Sequence, residues 1–518
     1  MILSKARLLE IASQPNTPPS RDTYSRVAKI HKYWSRKPWS VVDHLIMTYT
    51  NPKYVVLDPF CGSGIIGLQT LKAGRKFIGS DLNPFAVRLT QETLNTDFNL
   101  EEFQSSLTGL RNEVKDLIDN LYQVGSDLVL YSIPNYLQTC DYNAVVITPS
   151  SIRSKKKKLD LSALPKISFR AADDPFLPDQ EFPKKFYKDR FSYKGVSKVS
   201  DLFSHRNLLA LSLLHKAIQR CKAQDRAYFE LCLTNTLLHV SKLKSERVRP
   251  LGVNNYWIPD DFIEENVWWR FDDRCKQFAI AKDTISRAFS HRSAREKTTS
   301  RIQIGDATDL SWLEDNSVDY ILTDPPYGDA IQYSELSLIW NCWLNQTYES
   351  SSEIIINPVQ GKNSDTYISM IRNFLEEAAR VLKINFLMTL SFHSKDIGLW
   401  CKLASELYKT GFELEDLYIS NGVGSPFTKN WAKFSPKSDV YITVRNKRSI
   451  NRTAIELSGE EFLQVISAEI DVQALNQHQL YDFLVLAAIN ESMQGKNLSD
   501  LDRKNMSALL SRIAIHNE

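Results

Sequence analysis

The sequence predicts an α/β fold: a doubly wound sheet of seven strands, split by a long basic insert and followed by a small helical appendage. Three observations predict it. A strand–helix–strand rhythm runs from Tyr54 to Leu94, stops near residue 100 and resumes at Arg301. Four aspartates, Asp58, Asp81, Asp306 and Asp324, each follow a short apolar run. Between the two rhythmic stretches, Ser151–Pro250 carries 22 Lys and Arg against 10 Asp and Glu, on a chain whose net charge is only +3.

Each element can be justified in order. Ile2, Leu3, Leu8, Leu9 and Ile11 give a short amphipathic helix ending before Pro15, not a signal peptide. Tyr54–Leu57 reads as a buried strand ended by Asp58-Pro59, and Gly64–Ala73 as the helix after it. Gly74-Arg75-Lys76 then turns into a second strand, Phe77–Gly79, closing at Asp81, 23 positions after Asp58. Asn83-Pro84 opens a helix to about Leu94. Residues 126–200 read as irregular, and 201–250 as helical, with an apolar stripe through Leu208, Leu211, Leu214 and Ile218. Tyr256, Trp257, Trp268, Trp269 and Phe271 form an aromatic cluster, expected mostly in the core of the insert. Further strands fit 301–304, Asp319–Thr323, Phe386–Phe392, Glu413–Ile419 and Val440–Val444, with a helix over Tyr367–Leu382. Helical patterns at 460–472, 478–494 and 500–514 make up the appendage, expected to cover an apolar sheet face.

At 518 residues the chain is too long for one ordinary core. With 43% hydrophobic and 24% charged residues it reads as soluble and globular, and no run of eighteen apolar residues suggests a membrane span. Seven scattered cysteines without a CxxC argue against a zinc site or a disulfide framework, so no metal is expected and a reducing cytoplasm is. Cys61 reads as a small buried residue. The basic block on a near-neutral chain is the footprint expected of phosphate contacts, although Lys155–Lys158 alone could be a solvated loop.

Ligands of open α/β sheets bind beyond the carboxyl ends of the strands, so the four aspartates are expected on one rim. They suit S-adenosylmethionine (SAM). Asp58 would take its ammonium, Asp81 the ribose hydroxyls and Asp306 its adenine amino group. In DPFCGSG, Gly62 and Gly64 let the backbone approach, and the following helix N-terminus favours a carboxylate. Phe60, Leu82 and Ala307 would line the same pocket. Upstream, His31-Lys-Tyr-Trp-Ser-Arg-Lys-Pro-Trp39 is too polar for core and reads as a lid, with Trp34 in the pocket wall and Lys37 or Arg36 on the SAM carboxylate.

The chain Asp324-Pro325-Pro326-Tyr327 follows the strand VDYIL directly. Two prolines lock φ and remove two N–H donors. An exocyclic amine can then give one hydrogen to the Asp324 carboxylate and one to the Pro325 carbonyl, while Tyr327 offers a face for its ring. Gly328 lets the chain leave the strand sharply. An amine inside a duplex must first be flipped out to reach such a pocket.

These residues resemble the amino-directed DNA methyltransferases, adenine-N6 and cytosine-N4. DPFCGSG, GRKFIGSDLNP and SVDYILTDPPYG look like that family's cofactor and catalytic motifs; HKYWSRKPW and DLFSHRNLLAL (201–211) are similar to one large bacterial branch. The resemblance covers residues 30–95 and 200–445. It implies a Rossmann-like class I methyltransferase sheet, with Asp324–Tyr327 catalytic and Asp58, Gly62, Gly64, Asp81 and Asp306 on SAM, which leaves as S-adenosylhomocysteine (SAH). It implies a bacterial cytoplasmic protein acting on double-stranded DNA, in restriction–modification or phage defence, with a cognate restriction or defence protein as a possible partner. The expected layout is a lead-in over 1–30, sheet and cofactor part over 31–99, a target-recognition insert over 100–298, sheet and catalytic part over 299–447, and helices over 448–518. Related large methylases often hold a zinc ribbon in the insert, but only Cys140 lies near that place, and the insert falls between the second and third strands. Adenine-N6 is the favoured target. The alternatives are cytosine-N4, guanine-N2 of tRNA, and an inactive methyltransferase fold that binds DNA.

Overall fold

The computed structural model describes residues 3–13, 26–132, 141–147, 155–175, 177–187, 196–247, 249–251, 256–289, 299–421, 438–448, 452–469, 477–498 and Leu501. The helical pattern at 500–514 lies outside these apart from Leu501, as does part of the basic block.

All seven expected strands form one sheet. They are β1 (Val55–Asp58), β2 (Lys76–Asp81), β3 (Ser300–Ile304), β4 (Val318–Thr323), β5 (Leu382–Phe392), β6 (Phe412–Asn421) and β7 (Ser438–Asn446). Their order across the sheet is β6-β7-β5-β4-β1-β2-β3. The pairs β1–β2, β1–β4, β2–β3 and β4–β5 are parallel, whereas β7 runs antiparallel between β5 and β6. β4 is buried along its whole length, the pattern of a central parallel strand covered on both faces. The strand order reverses at β1 and β4, so the crevice for a ligand opens beyond their carboxyl ends. Because β7 is antiparallel, its first residues, not its last, lie on that same rim: Val440 pairs with Phe392 at the end of β5.

Helices cover both faces. α1 (Lys5–Ser13) is followed by α2 (Trp39–Tyr49), which leads into β1; α3 (Ile65–Lys72) and α4 (Pro84–Leu94) follow β1 and β2. Asn83 caps α4 through Phe85 N–H, and Pro84 occupies the first turn, where its missing N–H costs nothing.

The chain between α4 and β3 builds a second core. α5 (Leu100–Asp119) is a twenty-residue helix capped by Asn99. α6 (His205–Gln219), α7 (Ala223–Val240) and α8 (Val267–Phe289) pack with it around Phe103, Leu211, Phe229 and Phe271. The stretch read as irregular departs from expectation. Asp127–Ser132, Asp141–Ile147 and Lys155–Asp160 form an antiparallel ladder, joined by Gln123–Val124 and Glu264–Glu265. Lys155–Lys158 is therefore not a loop: its backbone pairs with Asn143–Val146 at the edge of that ladder, a place where lysines discourage further strand addition. The expected aromatic cluster is mostly core, with Tyr256, Trp268 and Phe271 buried and Trp257 exposed.

After β4 comes α9 (Tyr333–Trp343), whose Ile339 and Trp340 join the second core; α10 (Ser364–Val381) and α11 (Ile397–Lys409) flank β5. At the carboxyl end, α12 (Gly459–Glu469) precedes α13 (Gln477–Ser492). α13 is buried on all sides from Leu480 to Asn490 and lies against α1 and α11, so it forms a layer beyond the helices rather than directly on the sheet. Leu3 N–H donates to Asn490 Oδ1 at 3.1 Å, tying the two ends of the chain together. Among the described residues no helix is long and apolar enough to cross a membrane.

Candidate active site

The rim of the sheet opens into one cleft, at the switch between β1 and β4. Its walls include Asp58, Phe60, Gly62, Asp81, Leu82, Asp306, Ala307, Asp324, Pro326, Trp34 and Lys37. Gly64, Pro325 and Tyr327, also singled out from the sequence, are not among the residues that line it.

The floor is the turn between β1 and α3. Gly62 (φ +50°) and Gly64 (φ +78°) take left-handed backbone that other residues adopt at a cost. A Cβ on Gly62 would stand 3.1 Å from the Tyr33 ring, and one on Gly64 would stand 3.1–3.2 Å from Thr90. Gly62 N–H donates to Asp81 Oδ2 at 2.9 Å, and Asn83 N–H to Asp81 Oδ1 at 2.9 Å, so the ends of β1 and β2 are locked together. Gly64→Ala is expected to destabilise the protein by about 1–2 kcal/mol. A lowered thermal midpoint together with weaker SAH binding would report this; unchanged values of both would contradict it.

Asp58 is almost fully buried. Its Oδ1 accepts from Thr323 Oγ at 2.6 Å and from Phe60 N–H at 3.1 Å. Burial pushes its carboxyl up to about 8, and Asp324 and Asp81 push it the same way. A carboxylate held so far above its ordinary range is poised for a cationic ligand. Burial likewise raises Asp81 to about 6, against the lowering effect of its two backbone donors. Asp306 Oδ1 accepts from Thr308 N–H and Thr308 Oγ, both at 2.8 Å, which shapes the turn after β3 and places Asp306 and Ala307 at the far end of the cleft.

The segment before α2 is built into the site. Trp34 stacks on Trp340 with ring centroids 4.8 Å apart, and Tyr33 lies stacked near Tyr333 at 6.1 Å. Arg36 also lines the cleft, and it donates to Ala28 O at 2.7 Å and to His31 O, which braces its own segment. Lys37 is buried, with Nζ 3.1 Å from Asp324 Oδ1 and 3.4 Å from Asp439 Oδ2. It also donates to the Tyr327 hydroxyl, and its Nζ lies 4.8 Å from the centroid of that ring.

Tyr327 in turn donates to Asp324, and its ring meets Phe392 edge-on at 5.2 Å. Tyr367 donates to Pro326 O at 2.7 Å, which pins the turn. Gly328 (φ +56°) lets the chain leave it. Burial raises Asp324 to about 6, with Lys37 and Tyr327 pulling it down.

Four cleft residues escaped sequence reasoning. Tyr33, Tyr333 and Tyr348 supply aromatic wall. Glu353 is buried and accepts from Ser334 N–H at 3.0 Å through Oε1, with the Tyr348 hydroxyl also facing its carboxyl. Burial pushes its carboxyl up to about 7. It sits in SSEIIINP, with no motif to mark it. Asp439, beside Lys37, carried a readable signal only if β7 were known to be antiparallel.

A family model described as DNA methylase, of the N6/N4 amino type, matches residues 9–92. Over that stretch the chain is similar to the N6/N4 DNA methylase family. It is 23% identical over 186 residues to the type II methyltransferase M.MjaII of Methanocaldococcus jannaschii, covering 34% of each chain. Over 64 residues it is 34% identical to the type II methyltransferase M2.LlaDCHI of Lactococcus lactis, covering 12% of this chain and 24% of that one. Over 55 residues it is 36% identical to the DNA adenine methyltransferase YhdJ of Escherichia coli, covering 11% and 19%. The chain thus spans between about a fifth and a third of the length of these relatives. The matched stretch 9–92 contains Lys37, the glycine turn and Asp81, which the cleft joins to the Asp-Pro-Pro-Tyr turn of β4.

Proposed function

We propose that this chain transfers a methyl group from SAM to the exocyclic amine of a flipped-out base in double-stranded DNA, with adenine N6 as the target. One observation carries the reading: Asp58, Asp81 and Asp306, which suit the cofactor, share a cleft with Asp324 of the Asp-Pro-Pro-Tyr turn. The fit to SAM rests on the glycine turn, whose missing Cβ atoms leave backbone open, and on buried Asp58, whose raised carboxyl favours a cation. Bound there, SAM supplies an electrophilic methyl group on a sulfonium.

The protein's own part is to bind and aim the amine. Asp324 accepts one of its hydrogens and keeps its nitrogen lone pair directed into the cleft. As the N–C bond forms, the nitrogen must lose a proton, and the Asp324 carboxylate is the nearest base. Duplex DNA is supported as substrate by the family and by the excess of Lys and Arg in the insert. A second cleft, meeting the first at Tyr348, is lined by exposed Lys184 and Lys185 beside Gln180 and Gln346, a suitable setting for phosphates and base edges. Adenine is favoured by the similarity to a DNA adenine methyltransferase.

The test is tritium transfer from labelled SAM to unmethylated genomic DNA, with total tRNA in parallel. Label recovered as N6-methyladenosine after digestion is the expected result. Label as N4-methylcytosine would replace the target base, and label in tRNA alone would overturn the DNA reading.

A further inference from the structure

Lys37 lies in the segment expected to hold the cofactor's carboxylate, yet its ammonium is spent elsewhere. It comes from the stretch before α2 and bridges two acids carried by different strands: Asp324 after β4 and Asp439 at the start of β7. Only 6% of its side chain is exposed, against 16% for Asp324 and 15% for Asp439, so solvent screens the three charges little. The other groups facing the bridge are the Asp58 carboxyl, which interacts with Asp324 from the end of β1, the hydroxyls of Tyr327, Tyr441 and Tyr333, and His393, whose Nδ1 is 3.3 Å from Asp439 Oδ1.

Resting on the proposed methyl transfer, we infer that Lys37 and Asp439 are positioning residues that act through Asp324, holding it ionised and aimed for the target amine, and that Lys37 does not bind the cofactor. The charges support this. With both acids ionised and Lys37 cationic, the bridge carries one net negative charge, the complement of one sulfonium. When the methylated amine sheds its proton, its N–H bond breaks and an O–H bond forms on Asp324. The bridge then becomes neutral, and Lys37 keeps Asp439 as its counter-ion. A lysine paired with Asp324 alone would be left as an unpaired buried cation at that moment, which is costly. Asp439 therefore explains why the lysine can sit there through the cycle.

The arrangement predicts opposite pH effects. Removing Lys37 takes away a cation that lowers Asp324, and removing the Asp439 charge takes away an anion that raises it. Lys37→Met should move the acid limb of the kcat/KM profile upward by at least one pH unit, with activity partly recovered at pH 9. Asp439→Asn should move that limb downward. Both should bind SAH within about threefold of the wild type, and Lys37→Arg should restore much of the Lys37→Met loss. A loss of SAH affinity of tenfold or more in Lys37→Met with an unmoved pH profile would overturn the inference and return Lys37 to the cofactor. So would shifts of the same sign in the two variants. Should Lys37→Met fail to fold, Asp439→Asn and Lys37→Arg carry the test alone. The Asp324 carboxyl titration, followed by carbon NMR and assigned with Asp324→Asn, must rise in the lysine variant and fall in the asparagine one. That readout needs no substrate, so a wild type that methylates neither DNA nor RNA would sink the functional reading while the bridge is still judged on its own.

Discussion

Asp324→Ala is expected to lower kcat for methyl transfer to DNA by roughly 10³-fold while leaving SAH affinity within about threefold. The carboxylate would act twice on the target amine, accepting a hydrogen from it and then its proton, and alanine does neither. The two effects act through one carboxylate and do not multiply freely; either alone accounts for roughly 10²-fold or more. The cofactor should be indifferent because Asp58, the glycine turn and Asp81 are held by bonds that do not pass through Asp324: Asp58 by Thr323 and Phe60, Asp81 by Gly62 and Asn83. The fold should also persist. Lys37 keeps Asp439, and the turn keeps its anchor from Tyr367 to Pro326 O. Single-turnover transfer and calorimetric SAH binding on the same preparation separate the two quantities. An alanine variant that still transfers methyl at a tenth of the wild-type rate would mean that another group takes the proton, and Glu353 would be the first to examine.

The strands β1 to β4 were legible because each has an Asp or Gly at or just after its end, and because buried parallel strands need no partner-specific pattern. The cofactor acids were legible for the same reason: a strand end followed by a turn marks a rim position. What escaped depends on contacts distant in sequence. Lys155–Lys158 has neither alternation nor apolar content, and only pairing with Asn143–Val146 makes it a strand. α9 has no capping side chain to mark its start, and its Ile339 and Trp340 meet the second core. The acids beside Lys37 were not legible because they lie some 290 and 400 residues further along the chain. Only the sheet order brings β4 and β7 to either side of the segment before α2. Glu353 was hidden for a similar reason, since nothing near it in sequence marks a buried acid.

Asp58→Asn is expected to weaken SAH binding by roughly 10–100-fold and at the same time to make the ligand-free protein more stable at pH 8. Both effects come from one buried carboxyl. In the unfolded chain it titrates near 3.8, and in the folded, ligand-free protein near 8. Between those values the folded state holds a proton that the unfolded state has lost, so stability falls as pH rises through that window. Asparagine cannot ionise, yet its amide oxygen can still accept from Thr323 and Phe60 N–H. The variant should therefore match the wild type near pH 4 and exceed it at pH 8, by on the order of a few kcal/mol. Binding reverses the balance. A ligand ammonium against Asp58 favours the carboxylate, so at pH 7 the wild type should release close to one proton on taking up SAH. Calorimetry in buffers of different ionisation enthalpy counts that proton, and the asparagine variant should release far less. Charge-assisted hydrogen bonds of this kind contribute about 1.5–3 kcal/mol, which sets the expected loss of affinity. If the variant bound SAH as tightly as the wild type, the ammonium would have to sit against another acid of the rim instead. The glycine turn would then hold a different part of the ligand. The stability difference at pH 8 would survive that outcome, because it depends only on the burial of Asp58 and not on what the cleft binds.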